Sequence, residues 1–258
     1  MAMVRPKKHL GQHFLTDQNI ALKITDQLTE NDGIVVEVGP GTGILTKFLL
    51  ERFSDQLKLV EIDTESAEYL LEQYPELAKN LIVGDFLRLN LNDFGAEKIA
   101  VIGNFPYNIS SQIFFQLLEH RKLITEVVCM IQKEVAERLS AGPGSKTYGI
   151  LSVLLQAWFS IEYVFTVHEH VFNPPPKVKS AVIKLRRNEL QELGCDEVLF
   201  KKIVKQSFNQ RRKTLRNSLR SLLNPTIIAD ERFNLRPERL SVSAFVDLTN
   251  LIDRKTTK

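Results

Sequence analysis

Ile34-Val35-Val36-Glu37-Val38-Gly39-Pro40-Gly41-Thr42-Gly43 decides how the chain is read. Four β-branched apolar residues around a single acid make a short continuous run, the pattern of a strand buried on both faces. Alternating glycines then turn the chain, and Ile44, Leu45, Phe48 and Leu49 recur at helical spacing.

Outward from this stretch the same unit repeats. Leu57 to Ile62 is a second strand with Glu61 near its end. Leu81 to Val83 is a third, followed at once by Gly84-Asp85, and Ile99 to Ile102 is a fourth that delivers Asn104-Phe105-Pro106-Tyr107. Short apolar strands alternating with helical segments predict an α/β fold: a mostly parallel sheet with right-handed crossovers and helices on both faces. The glycines, the acids and the polar-aromatic turn then share the carboxyl edge of the strands, where open sheets bind ligands.

The chemistry of that edge narrows the ligand. The turn is G-x-G-x-G, not the G-x-G-x-x-G of dinucleotide folds, and it lacks the Lys-Ser/Thr of a phosphate-cradling loop. Gly39 and Gly41 let a ligand approach the backbone closely. Glu61, about 20 residues beyond, suits ribose hydroxyls, and Asp85 an adenine amino group. Acids across this edge repel a pyrophosphate and favour a cation, and the sulfonium S-adenosylmethionine is the natural candidate. Glu37 either touches the ligand or holds the glycine turn through its amides. In the fourth turn, the Asn104 amide oxygen and a carbonyl of Phe105 or Pro106 can accept the N–H groups of an exocyclic amine while Tyr107 stacks on its base. Such an amine is a poor nucleophile, because its lone pair is delocalised into the ring. Accepting its hydrogens favours a reactive, tetrahedral nitrogen, and no general base is required.

At 258 residues and 43% hydrophobic, the chain has room for one full α/β domain and a small second one. It contains no run of 18 apolar residues, and Met1 to Lys8 lacks the apolar core of a signal peptide, so a cytosolic location is expected. Cys129 and Cys195 form no C-x-x-C and no metal pattern, so no metal is expected. The net charge of +3 conceals an asymmetry: Lys201 to Arg220 holds eight basic residues and no acid, leaving about −5 for the rest.

The N-terminal basic and aromatic segment leads to a helix starting at Thr16 or Asp17, with Ile20, Ile24 and Leu28 on its packed face. Beyond the tetrapeptide, Ser110 to His120 reads as a helix and Ile124 to Ile131 as a fifth strand. Segment 140–149 is turn-rich and expected to be mobile, and Ile150 to Phe159 is an apolar helix. Tyr163 to His168 and Ser180 to Leu185 alternate like paired strands, joined through the stiff loop that carries Phe172 and Pro174-Pro175-Pro176. A composition shift after 187 predicts a boundary between a catalytic domain, 1–187, and a helical basic domain, 188–258, ending in a short polar tail. In the latter, Ile203, Val204, Phe208, Leu215 and Leu219 form the buried face. Lys201, Lys205, Arg211, Arg212, Lys213, Arg216 and Arg220 offer a cationic face to a nucleic-acid backbone.

Leu10-Gly11-Gln12-His13-Phe14-Leu15, Glu37 to Gly43, Glu61-Ile62-Asp63, Gly84-Asp85, Asn104-Phe105-Pro106-Tyr107 and Phe172 to Ala181, in this order, resemble the bacterial small-subunit rRNA adenine dimethyltransferases of the KsgA type. The resemblance covers nearly the whole chain. It implies a Rossmann-like S-adenosylmethionine domain with a helical C-terminal domain. The implied reaction is N6,N6-dimethylation of two adjacent adenosines near the 3′ end of 16S rRNA, carried out on the assembling small subunit; separately, a monomer is expected. By position, His13, Leu15, Gly39, Glu61, Asp85 and Asn104 contact the cofactor, and Asn104, Pro106, Tyr107 and Phe172 surround the target adenine. The chain departs from the family pattern at His13, often Asn, and Phe105, often Leu. Three rivals stand beside this reading: a DNA adenine methyltransferase, a large-subunit rRNA adenine methyltransferase, and a non-catalytic RNA-binding assembly factor.

Overall fold

A computed structural model describes residues 4–29, 33–223 and 227–253; the first three residues and the polar tail from 254 lie outside the described residues. The chain divides into two compact units, Met1–Ala136 with Ile161–Arg187, and Glu137–Ser160 with Asn188–Lys258.

The first unit opens with β1 (Phe14–Leu15) and α1 (Gln18–Thr25). Asp17 starts the helix, its carboxylate accepting the Asn19 and Ile20 N–H groups at 2.9 and 3.0 Å. The repeating units follow as β2 (Ile34–Val38), α2 (Thr46–Phe53), β3 (Leu57–Glu61), α3 (Thr64–Gln73), β4 (Leu81–Val83), β5 (Ile99–Asn104), α4 (Ser110–Glu119) and β6 (Ile124–Gln132). After α5 (Lys133–Ser140) and α6 (Ile150–Gln156) come β7 (Phe159–Val167), β8 (Phe172–Asn173) and β9 (Ser180–Arg187). The seven-stranded sheet has the order β4-β3-β2-β5-β6-β9-β7. β2 to β6 run parallel, and β9 joins β6 antiparallel.

Burial on both faces explains the strand composition. Val35, Ala100, Ile102, Val128 and Met130 join Ala21, Ile24, Leu45 and Leu49 of the flanking helical segments in one core cluster. The residues between them, Val36, Val101, Val127 and Cys129, are fully buried too, and by strand alternation they lie on the opposite face. β1 pairs antiparallel with β8, Leu15 opposite Phe172, so the N-terminal segment is fastened to the proline loop.

The second unit gathers α6, α7 (Glu197–Asn209), α8 (Leu215–Ser218) and α9 (Val242–Asp253). The five residues expected to form its packed face are all buried. Residues 137–160, expected to belong to 1–187, group with this unit, because α6 and fully buried Tyr148 pack into its core. The Tyr148 ring meets Phe208 edge-on at 6.1 Å. Segment 140–149, expected to be mobile, is tied to this unit by two hydrogen bonds: the Gly144 N–H donates to the Glu238 carbonyl at 2.6 Å, and an Arg211 Nη2–H to the Ser145 carbonyl at 3.2 Å. The predicted helix over 150–159 stops at Gln156, since Phe159 begins β7.

Candidate active site

The strand ends converge on an open cleft lined by Gly39, Gly41, Glu61, Ile62, Gly84, Asp85 and Asn104 to Tyr107, with Leu10 to Phe14 as a further wall. Gly39 and Gly41 adopt φ of +68° and +56°, a region side chains rarely occupy. A Cβ on Gly41 would stand 2.9 Å from Phe14 Cε1, whereas nothing lies within 4 Å of one on Gly39. The turn therefore offers bare backbone to a ligand.

The acids divide their work differently from the expectation. Glu37 does not hold the glycine turn: it is buried and accepts the Thr46 hydroxyl proton at 2.7 Å. Burial pushes its pKa up to about 8, so it is largely neutral at pH 7. Glu61 holds the turn instead, Oε2 accepting the Gly41 N–H at 3.0 Å and Oε1 the Asp63 N–H at 2.9 Å. Burial raises its pKa against the pull of those amides. Asp85 Oδ1 accepts the Leu87 N–H at 3.0 Å, and Arg88 Nε lies 3.6 Å from Oδ2. Among the described residues no Lys or Arg lines the cleft. A cationic, nucleoside-bearing ligand matches this donor set, and a pyrophosphate does not.

The turn after β5 is fixed atom by atom. Asn104 Nδ2 donates to the His13 carbonyl at 2.9 Å, which leaves Oδ1 as the acceptor at the cleft. The Phe105 N–H donates to the Met130 carbonyl at 3.0 Å, and its ring packs edge-on against Phe114 in the core. Pro106 spends its carbonyl on the Ile109 N–H at 3.2 Å, so of the two candidate carbonyls Phe105's remains available. The Tyr107 hydroxyl lies 2.5 Å from the Ser180 hydroxyl, and its ring stacks on His13 with centroids 5.4 Å apart. His13 Nδ1 is 2.7 Å from the Pro174 carbonyl, which can only accept, so Nδ1 carries the hydrogen.

Other expected site residues lie elsewhere. Leu15 and Phe172 face each other across the β1 and β8 pair and sit in the core, Phe172 only 4% exposed, so neither lines the cleft. In the second unit, Lys201, Lys205, Arg212, Lys213 and Arg220 are exposed. Arg211 and Arg216 are half-buried and committed internally, the first to Ser145 and Glu238, the second to the Ile228 carbonyl at 3.2 Å. Sequence reading missed Ser180, Asp63 and Lys7. Each is joined to the cleft by partners 51 to 73 positions distant in the chain, and no local periodicity records that.

The chain matches the model of the ribosomal RNA adenine dimethylase family over residues 3–244. It is 58% identical over 258 residues to the ribosomal RNA small subunit methyltransferase A of Phocaeicola vulgatus, covering 98% of this chain and 91% of that one. Among solved structures it superposes on a dimethyladenosine transferase from Plasmodium falciparum with TM-score 0.81 at 26% identity, covering 95% and 98% of the two chains. It also matches the 23S rRNA methyltransferase ErmE with TM-score 0.71 at 25% identity, covering 93% and 99%. With the parallel sheet and the cleft at its carboxyl edge, these likenesses identify a Rossmann-like methyltransferase fold, and the chain belongs to the ribosomal RNA adenine dimethylase family.

Proposed function

We propose that this protein dimethylates N6 of two adjacent adenosines near the 3′ end of 16S rRNA, as a cytoplasmic monomer acting on the assembling small subunit. S-adenosylmethionine would supply an activated methyl group on a sulfonium. Gly39, Gly41, Glu61 and Asp85 would hold it, Glu61 on the ribose hydroxyls and Asp85 on the adenine amine. The 13–15 backbone closes the near side, where Leu15 contributes from the core.

The observation that carries the reading is the orientation of Asn104. With Nδ2 occupied by the His13 carbonyl, Oδ1 can only receive, and it stands in the cleft shared with Glu61. Asn104 Oδ1 and the Phe105 carbonyl would accept the two amine hydrogens and draw the nitrogen toward a tetrahedral, nucleophilic form. Pro106 fixes the turn, and Tyr107 would stack on the flipped base. Positioning supplies the acceleration, and the alkylated ammonium, a strong acid, loses its proton without a dedicated base. Lys201, Lys205, Arg212, Lys213 and Arg220 would grip the rRNA phosphates.

The test is nucleoside mass spectrometry on small subunits lacking the modification, incubated with S-adenosylmethionine and either this protein or Asn104→Ala. N6,N6-dimethyladenosine in 16S rRNA is expected, falling roughly 100- to 1,000-fold in rate in the variant, as when a preorganised hydrogen-bonding group is removed. Methylation of 23S rRNA alone would overturn the substrate. Transfer to no nucleic acid would favour the assembly-factor reading.

A further inference from the structure

Segment 7–13 is more than a passive wall. Gly11 sits at φ +66°, the Lys7 N–H donates to Gln12 Oε1 at 2.8 Å, and the Gly11 N–H to the Lys8 carbonyl at 3.0 Å, so the segment is closed on itself. It is attached to the sheet at two places. At one end the His13 carbonyl holds Asn104 at the tip of β5; at the other, Lys7 Nζ and Gln12 Nε2 reach Asp63, just beyond β3. β2 lies between β3 and β5, and Phe14 covers its glycine turn. The segment therefore spans the cleft from one bank to the other.

Its β3 anchor has the geometry of a fixed post. The Asp63 side chain is only 1% exposed and also accepts the Ser66 hydroxyl at 3.1 Å and the Glu65 N–H at 3.2 Å, starting α3. The Asp63 N–H in turn orients Glu61 Oε1. Lys7 is the movable half: its side chain is 31% exposed, and Glu65 lies 3.4 Å away as a second partner. The Lys7, Gln12 and Ser66 hydrogen bonds hold the Asp63 carboxyl below its ordinary range despite burial.

We propose that Lys7 is a positioning residue that clasps segment 7–13 onto Asp63 across the cleft, and thereby sets how long the cofactor stays bound. The proposal rests on the cofactor reading above. The clasp does not touch the reacting atoms, so it governs dissociation more than methyl transfer. When Lys7 is replaced, Asp63 keeps its hydrogen bonds from Gln12, Ser66 and the Glu65 N–H, so the carboxylate is not left without partners and the fold stays in place.

The experiment chases tritiated S-adenosylmethionine off the full-length protein with excess S-adenosylhomocysteine, for wild type, Lys7→Met and Lys7→Arg. Lys7→Met is expected to release the cofactor about fivefold faster, the upper range for such a pair. Its KM for cofactor should rise by a similar factor while kcat changes by less than about twofold. Lys7→Arg should restore slow release, and added salt should hasten release from wild type more than from Lys7→Met. Equal dissociation rates for wild type and Lys7→Met, with unchanged thermal unfolding, would overturn the clasp alone. A wild-type protein that fails to bind the cofactor would overturn the cofactor reading and the clasp with it.

Discussion

The two edges of the central sheet bury carboxylates in opposite ways. At the carboxyl edge, Glu37 and Glu61 have no cationic partner among the described residues; they are held by a hydroxyl and by backbone amides, and burial raises both pKa values. At the opposite edge, Glu126 on β6 lies 2.8 Å from Lys184 Nζ on β9 and accepts the Thr29 N–H and hydroxyl, each at 2.8 Å. Burial alone would raise the Glu126 pKa, but Lys184 and Thr29 hold it below the ordinary range. Lys184 also donates to the Gln27 carbonyl, fastening the chain after α1 to the sheet. One edge pairs its carboxylate with a cation and staples the fold; at the other the acids keep only hydroxyl and amide partners, and Glu61 and Asp85 face a cleft that no Lys or Arg among the described residues lines.

Breaking the staple gives the largest expected effect. Lys184→Met removes the buried cation beside Glu126 and leaves the carboxylate the Thr29 hydrogen bonds and Arg186 Nε at 3.4 Å, so the loss of unfolding free energy should be about 3 kcal/mol, the lower end for breaking a buried pair. Urea unfolding would measure it, and Glu126→Leu/Lys184→Met should recover most of it. Activity per folded molecule should hold, since nothing at this edge lines the cleft. A large loss of activity with intact stability would break the comparison.

The carboxyl edge should behave the other way. Tyr107→Ala removes the stacking face, and methyl transfer should fall about 5- to 150-fold, corresponding to 1 to 3 kcal/mol per stacked base. Cofactor affinity, read by calorimetry, should change much less. Unchanged turnover would remove Tyr107 from the site.

A further contrast lies in the pH dependence, where the two edges predict opposite limbs. Glu37 binds its proton more tightly folded than unfolded, so its stabilisation is full below its unfolded pKa and fades as pH rises toward 8, by about 1.4 kcal/mol per pH unit at most. Glu37→Gln should flatten that limb in ligand-free protein. Glu126 has a depressed pKa, so its contribution is present above the unfolded value and is lost as acid reaches the folded one. Lys184→Met should flatten only the acid limb. Thermal unfolding from pH 4 to 9 would read both, and identical profiles in the two variants would show that the edges do not differ.

Much of this architecture was legible in the sequence. Short β-branched runs such as Ile34 to Val38 and Ile99 to Ile102 can bury both faces only as inner strands, and Gly39 and Gly41 mark a turn where other residues would be strained. Alternation along parallel strands then places Glu61, Asp85 and Asn104 at one edge without any coordinates. Tertiary structure alone decided which partner each polar group met: Glu61 rather than Glu37 on the glycine turn, and Phe172 in the core beside Leu15. It also committed Arg211 to the fold, moved 137–160 into the second unit and brought Lys7 to Asp63. Strand and turn propensities act between neighbours in the chain and can be read from it. Hydrogen-bond and ion-pair partners are chosen by proximity after folding, across separations of 20 to more than 150 residues.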